Sequence, residues 1–236
     1  MAEAPSPFPG ETAWSTIIAA RDRASPEWRA RLGRLVSAYW RPVFWHLQRR
    51  WKLSPEDAAD LAQDFFAKLL QGDALGRASP ERGRFRTFLK MQLRDLVVDE
   101  IRRRLAQKRG GGEHPVPLDA DGGEPESPGA DPEEAFDRDW AACLLQDSIR
   151  SLETSFLNKG KDVVYRAFQQ CVLLNPPKSY RECAKLLDIK ESDVRNYVYA
   201  ARGELRDIVR AGIRDSLARE PEVDTEFAYL MELFER

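Results

Sequence analysis

The sequence is poor in the residues that build the common covalent and metal sites. Among its 236 residues there are three cysteines, Cys143, Cys171 and Cys183, and two histidines, His46 and His114. The cysteines show no paired spacing, which argues against a disulfide framework and for a reducing compartment. Neither histidine has a partner at metal-ligand spacing. We therefore expect no metal and no cofactor. The sequence also lacks the residues from which most hydrolase and zinc sites are assembled.

Long hydrophobic runs are also missing. The longest unbroken apolar run is residues 140–145, which is too short to cross a membrane. Residues 1–7 contain neither a basic start nor an apolar core, so a secretory signal is not expected either. The composition, 42% hydrophobic and 32% charged, is typical of a soluble helical protein. We expect a cytoplasmic protein with no membrane partner.

Charge is distributed unevenly, although the net charge is only −2. Residues 81–110 hold ten Lys and Arg against four Asp and Glu, whereas residues 111–140 hold one against ten. The tail from residue 215 holds two basic and seven acidic residues. Basic blocks suggest a polyanionic partner, and the acidic segments would repel that partner or stand in for it. The alternative is that these charges only keep a surface solvated.

One low-complexity segment divides the chain. Residues 107–132 are rich in glycine and proline and contain almost no large apolar residue, so they are predicted to form a flexible linker. The other segments show helical spacing of apolar residues and no alternating pattern, which predicts an all-α fold of two small domains. The predicted division is an N-terminal extension with a short helix (1–27), a first domain (28–106), the linker (107–132), a second domain (133–212) and an acidic tail helix (213–236).

Three helix starts are indicated by the sequence: one at residues 131–134, and two that carry a capping serine. Ser54 precedes proline and two acidic residues, and Ser179 precedes Glu182 by three positions, as in a capping box. The helix that begins near Ser179 is predicted to bury four residues, Cys183, Ala184, Leu186 and Leu187.

A tight turn at residues 188–190 then leads into a second helix that buries Val194 and Val198. The small Ala184, a turn residue four positions later and an aliphatic residue six further on fit a helix-turn-helix. The outer face of the second helix carries residues suited to base edges and phosphates, namely Arg195, Asn196, Tyr199, Arg202 and Arg206. The alternative is an ordinary helical hairpin with a solvated basic face.

The first domain presents two further charged faces. Asp57, Asp60 and Asp64 share one helix face opposite the apolar one, which alone is typical of a solvated surface. The next helix carries a row of cations that leads away from a Gly-containing loop at 71–84, comprising Arg84, Arg86, Lys90, Arg94 and residues 102–104. Such a row fits a surface that binds a nucleic-acid strand, with a simple solvated helix as the alternative.

These motifs together resemble an extracytoplasmic-function (ECF) sigma factor of bacterial RNA polymerase, a branch of the sigma-70 family. Residues 57–66 (DAADLAQDFF) are similar to the acidic region 2.2 helix. Residues 84–95, followed by 99–103, are similar to regions 2.3 and 2.4. Residues 179–206 are similar to the helix-turn-helix of region 4. The details look most like a subgroup associated with Ser/Thr protein kinases.

The resemblance implies a non-catalytic protein that directs core polymerase to promoters. Contacts with the β′ clamp helices would come from Asp57, Asp60, Gln63 and Asp64. Contacts with the −10 element would come from Arg84, Arg86, Lys90, Arg94 and Asp95. Contacts with the −35 element would come from Lys190, Arg195, Asn196, Tyr197, Tyr199 and Arg202. The linker would pass toward the polymerase active-site cleft. Further implied partners are the β flap, promoter DNA and an anti-sigma factor or Ser/Thr kinase.

Two other functions fit parts of the sequence. One is a free-standing helix-turn-helix transcriptional regulator whose N-terminal domain dimerises. The other is a helical nuclease that uses Asp57, Asp60 and Asp64 with Mg²⁺, although such carboxylates should converge in a pocket. The tail, with Val223, Phe227, Leu230 and Phe234 on one face, is predicted to be a helix that completes a hydrophobic surface. A regulatory contact of this tail with the basic face is the alternative.

Overall fold

The computed structural model describes residues 14, 17, 18, 25–71, 74–82, 84–109, 132–216 and 222–235. The α-helices in these ranges are α1 (Trp28–Arg50), α2 (Pro55–Gln71), α3 (Ala74–Arg77), α4 (Phe85–Arg109), α5 (Pro132–Asn158), α6 (Asp162–Phe168), α7 (Tyr180–Leu187), α8 (Glu191–Ser216) and α9 (Val223–Glu235). A 3₁₀ turn (Pro80–Arg82) and a π-helical turn (Gln169–Leu173) complete them. The described residues contain no strand, so the predicted all-α class is confirmed. Nearly all of the predicted linker and most of the N-terminal extension lie outside these ranges.

Both helix starts that carry a capping serine are confirmed. The Ser54 side-chain oxygen accepts a hydrogen bond from the backbone N–H of Asp57 at 3.1 Å, immediately before α2. At α7, the Ser179 hydroxyl oxygen accepts from the Glu182 N–H at 3.3 Å, and the Ser179 N–H donates to the Glu182 carboxylate at 2.9 Å. This reciprocal pair satisfies two backbone donors that the first turn leaves without a helical partner.

The turn between α7 and α8 is built on a left-handed residue. Asp188 ends α7 with φ of 53°, and α8 begins at Glu191. Cys183 of α7 packs with Val194 and Val198 of α8 in one small buried cluster. The predicted burial of Leu186 is wrong, because this side chain is 53% exposed. The buried face of α7 is centred on positions 183, 184 and 187, and position 186 lies about 100° around the helix from that centre.

One hydrophobic cluster includes residues from both predicted domains. Helix α5 packs along α1, and α9 packs against α5 and α8. The cluster joins Tyr39 and Val43 of α1 to Phe136 of α5 and to Leu230 and Leu233 of α9. The division into two domains stays a prediction, but the described parts of the two halves contact each other directly.

Charged groups at the edge of the α1–α5 contact reinforce it. The Arg41 guanidinium donates to the Asp147 carboxylate at 2.7 Å, and Arg49 is paired with Asp139. A second, smaller cluster holds the end of α5 against α6 and α8. Of the helices described here, none is both long enough and apolar enough to cross a membrane.

Candidate nucleic-acid and polymerase interfaces

The acidic face of α2 is exposed. Asp60, Gln63 and Asp64 project into solvent, while Leu61 and Phe65 on the opposite face are buried. Asp57, the fourth residue predicted for polymerase binding, is half-buried. Its carboxylate accepts a hydrogen bond from the Ser54 hydroxyl at 2.8 Å and helps to cap the helix. Within the described ranges, no group of three or more acidic, His or Cys side chains is arranged to hold a metal ion.

The basic face of α8 is exposed as well. Five of the six residues predicted for the −35 element are solvent-exposed, namely Lys190, Arg195, Asn196, Tyr199 and Arg202. The Tyr199 ring is 81% exposed. The Arg195 guanidinium lies 3.7 Å from the Glu191 carboxylate, one turn away on the same helix. Such an exposed pair holds a side chain only weakly, so this face is available to a partner.

Tyr197 differs from the other residues of this group. It is half-buried and packs against both small clusters of the second half of the chain. It directly precedes the buried Val198 and lies on the side of α8 that faces α6. The structure therefore separates it from the exposed basic face.

The first part of the basic face of α4, from Arg84 to Lys90, is covered, whereas the sequence predicts an exposed face. Arg86 is only 2% exposed. Its Nε–H donates to the Asp137 carboxylate of α5 at 3.1 Å, and Nη2 donates to the Glu226 carboxylate of α9. Its guanidinium also lies 4.1 Å from the ring centre of Trp140, a cation–π contact.

The neighbouring cations share the same two carboxylates. Arg84 Nη2 lies 2.6 Å from Glu226 Oε2, and Lys90 Nζ lies 3.3 Å from Asp137 Oδ2. The Tyr229 hydroxyl of α9 donates to Asp137 Oδ2 at 2.9 Å. We call Arg84, Arg86, Lys90, Asp137, Glu226 and Tyr229 the α4 charge cluster. Arg94 and Asp95, further along α4, are exposed.

Burial and charge act in opposite directions on the α4 charge cluster. Burial alone would lower the pKa of Arg86, but the Glu226 and Asp137 carboxylates outweigh it and raise that pKa. Burial, and then the negative charge of Asp137, raise the pKa of Tyr229 well above its ordinary range. At neutral pH the cluster therefore contains charged guanidinium groups beside a neutral phenol that can only donate to Asp137.

His46 lies at the α1–α5 contact, close to the α4 charge cluster. Its ring meets Phe136 edge-to-face with centroids 5.2 Å apart, and Nδ1 lies 4.0 Å from the Asp139 carboxylate. Burial, together with the positive charges of Arg50 and Lys90, lowers the pKa of His46 to about 4. The imidazole is therefore neutral at physiological pH.

A cavity of about 250 Å³ lies where α2, α3 and α4 meet. Its walls combine apolar side chains with two cations, and the lining residues are Phe65, Lys68, Leu69, Ala74, Arg77, Gln92, Leu96 and Asp99. It lies beside the 71–84 segment that precedes the basic face of α4. The polar part of the lining holds two cations, Lys68 and Arg77, together with Gln92 and the Asp99 carboxylate, and the apolar part can pack against a flat aromatic group.

Sequence reasoning missed Asp137, Glu226, Tyr229 and the burial of His46. Arg86 is 51 residues from Asp137 and 140 residues from Glu226, so no helical spacing could indicate these contacts. The available signal was coarse: acidic residues concentrate in 111–140 and in the tail, which carry Asp137 and Glu226. A contact of the acidic tail with the basic face was the alternative considered for the tail, but the individual residues that form it could not be identified from the sequence.

Comparison with known families supplies one finding. Residues 35–106, which include most of α1, all of α2 and α3 and most of α4, match the family model of sigma-70 region 2. This segment, less than a third of the chain, is therefore similar to region 2 of the sigma-70 family. No curated protein and no solved structure matches the chain.

Proposed function

We propose that this protein is an alternative sigma factor of the extracytoplasmic-function type. It binds core RNA polymerase, recognises −35 and −10 promoter elements and initiates transcription, without catalysis of its own and in the cytoplasm. The observation that carries the proposal is the match of residues 35–106 to sigma-70 region 2. That segment contains both the acidic face of α2 and the basic face of α4.

The acidic face of α2 is the proposed polymerase contact. Asp60, Gln63 and Asp64 are exposed and lie on one side of a helix whose other side is buried in the core. A basic coiled coil such as the β′ clamp helices complements such a face, and this complementarity favours both fast association and the correct orientation. Asp57 supports the face by accepting a hydrogen bond from Ser54, the residue that caps α2.

The exposed face of α8 is the proposed contact with the −35 element. Arg195 and Asn196 lie near the start of the helix and can form hydrogen bonds with base edges in the major groove. The flanking Lys190, Tyr199 and Arg202 suit phosphates. Tyr197, being half-buried, is proposed to hold α8 against its own core. The β flap of polymerase is the proposed partner of this half of the chain.

The basic face of α4 is the proposed contact with the −10 element, after the α4 charge cluster has rearranged. Arg84, Arg86 and Lys90 would then hold the backbone of the separated strand, and Arg94 and Asp95 would lie beside it. The cavity between α2, α3 and α4 is the proposed site for a flipped-out base. An anti-sigma factor or a Ser/Thr kinase is the proposed regulator, on the resemblance to the kinase-associated subgroup.

A free-standing DNA-binding regulator is the second candidate. The observation that favours it is that the α8 face is exposed while the α4 face is covered. Association with core polymerase separates the two functions, because a regulator of this kind does not need it.

The decisive experiment reverses the charge of the α2 face. Asp60→Lys/Asp64→Lys should weaken association with purified core polymerase by about a hundredfold, because like charges then oppose the basic clamp. Both positions are exposed, so the melting temperature should change little. Glu222→Lys/Glu232→Lys is the control, because it makes the same charge change at exposed positions outside the matched segment. Undiminished association of the α2 variant would overturn the proposal.

A further inference from the structure

Every acidic partner described above for the covered basic face of α4 comes from outside the segment that matches sigma-70 region 2. Glu226 of α9 is 1% exposed, and its two carboxylate oxygens each face one guanidinium, those of Arg84 and Arg86. The ring of Tyr229, one turn further along α9, lies 5.3 Å from the Arg84 guanidinium. The side chains of α9 therefore occupy the space directly over these two arginines.

A carboxylate in this position competes with a phosphate. Guanidinium groups bind carboxylate and phosphate oxygens through the same N–H donors and in the same forked geometry. The N–H groups of Arg84 and Arg86 that face the Glu226 carboxylate are not available to a DNA phosphate while α9 is in place. While α9 remains in place, the proposed −10 surface retains only its exposed part near Arg94.

Apolar and polar contacts together hold α9 on the rest of the fold. Val223, Leu230 and Leu233 are buried against the core, and the Arg138 Nε–H donates to the Leu233 carbonyl at 3.1 Å. An exposed ion pair of 2.6 Å links Arg210 to Asp224. Buried ion pairs recover little more than their own desolvation cost, and a single helix with one exposed side, such as α9, can separate at lower free energy than the whole fold. Displacement of α9 is therefore accessible to a competing anion.

Displacement would not leave the arginine unpaired. Arg86 keeps its 3.1 Å hydrogen bond to Asp137 of α5 when Glu226 departs. Three cations, Arg84, Arg86 and Lys90, face two carboxylates while α9 is in place and one carboxylate when it is displaced, so the net charge of the site rises from +1 to +2. The displaced state therefore attracts a phosphate backbone more strongly than the covered state does.

We propose that α9 is an autoinhibitory cover helix, in which Glu226 takes the place of a DNA phosphate on Arg84 and Arg86. The inference rests on the proposed function, because it assumes that the α4 face binds a nucleic-acid strand. In the free chain α9 then prevents the binding of single-stranded DNA. The −10 surface becomes available when α9 is displaced.

The test compares two substitutions on the same helix in the full-length chain. Glu226→Gln keeps the shape of the side chain but removes the competing charge, and Glu232→Gln makes the same change at an exposed position. Binding of a fluorescein-labelled oligodeoxythymidylate is measured by fluorescence anisotropy over a range of salt concentrations. Glu226→Gln should bind about tenfold more tightly than the wild type, with a steeper salt dependence, because the binding-competent fraction rises. Glu232→Gln should stay within about twofold.

A second substitution and a second measurement locate the effect. Adding Arg84→Ala to Glu226→Gln should abolish most of the gain, because the freed guanidinium is what the phosphate binds. The second measurement is amide hydrogen exchange of the wild-type chain. A saturating concentration of oligonucleotide should make the backbone amides of α9 exchange faster and leave those of α7 unchanged. Equal affinities for Glu226→Gln and Glu232→Gln, or binding of the oligonucleotide without faster exchange in α9, would overturn the inference.

Failure of this inference is distinct from failure of the proposed function. The cover helix lies away from the acidic face of α2, so Glu226→Gln should associate with core polymerase as the wild type does. A chain that binds core polymerase but shows no difference between the two α9 variants retains the proposed function and loses the cover helix. A wild-type chain that fails to bind core polymerase overturns the proposed function by itself.

Discussion

Two basic helix faces in this protein look alike in the sequence and differ in the structure. On α8, Arg195 has one acidic neighbour, Glu191, at 3.7 Å on its own helix, and the face remains open to solvent. On α4, Arg86 is buried between carboxylates from α5 and α9. A run of arginines therefore indicates a polyanion-binding chemistry but not whether the surface is accessible, because accessibility depends on distant segments.

The difference follows from where each helix lies. The basic face of α4 borders the large hydrophobic cluster, so Arg86 is surrounded by Trp140 and Tyr39 and needs compensating charge. The N-terminal half of α8 packs on the two small clusters, and no helix among the described residues covers the outer face of that half. A buried cation is tolerated only when it is paired, whereas an exposed one is stabilised by water.

The largest expected effect tests this contrast directly. Arg86→Met removes the cation and leaves Asp137 and Glu226 buried without it, which should lower the free energy of unfolding by about 3–5 kcal/mol. Arg206→Met, on the exposed face of α8, is the matched control and should change it by less than about 0.5 kcal/mol. Urea denaturation followed by circular dichroism gives both values.

A third variant separates the charge from the packing. Adding Glu226→Gln to Arg86→Met should recover part of the lost stability, because one of the two buried carboxylates that lost the Arg86 guanidinium is then neutral. If Arg86→Met and Arg206→Met lower the free energy of unfolding by the same amount, the two basic faces are equivalent in solution. The contrast between a covered and an exposed face is then wrong.

An intermediate effect is expected from pH. The pKa of His46 is about 4 in the folded chain, against about 6.5 when unfolded, so the unfolded state binds more protons between these values. Stability should therefore fall as the pH drops through that window, by about 2 kcal/mol between pH 7 and pH 5. The protonated imidazole would face Arg50 and Lys90, with Asp137 and Asp139 as the nearby acids.

The matched variant for this prediction is His46→Gln, which cannot titrate. Its free energy of unfolding should be nearly constant between pH 7 and pH 5, whatever its absolute value. If the free energy of unfolding depends on pH equally in the variant and the wild type, the acid sensitivity comes from other groups. His46 lies at the α1–α5 contact, so acid should loosen the covered side of the molecule before the α7–α8 pair.

Local structure could be predicted from the sequence, and long-range contacts could not. The capping box at Ser179 and the tight turn that begins at Asp188 depend on neighbours within a few residues, and both are as expected. Leu186 was misassigned because a two-turn helix offers too few positions to define the centre of its buried face. The contact of Arg86 with Glu226 spans 140 residues, and only the packing of α5 and α9 on α1 and α4 brings the two together.

The smallest stability effect is expected on the exposed face, where a change in function should appear without a change in folding. Arg195→Ala should alter the free energy of unfolding by less than about 0.5 kcal/mol, because the side chain is exposed and its ion pair is weak. A bidentate arginine–guanine contact typically contributes about 1–3 kcal/mol of discrimination. Holoenzyme carrying Arg195→Ala should therefore lose about ten- to a hundredfold in affinity for its own promoter.

Arg202→Ala distinguishes a contact with a base from a contact with a phosphate on the same helix. Arg202 lies two turns further along α8 and suits a phosphate, so its loss should weaken binding to all upstream sequences alike and reduce the salt dependence. The measurement is the affinity of wild-type and variant holoenzymes for a panel of promoters with single-base changes in the −35 region. If Arg195→Ala retains the wild-type preference at every position, α8 does not read the bases, and its exposed basic face has only the solvating role of an ordinary helical hairpin.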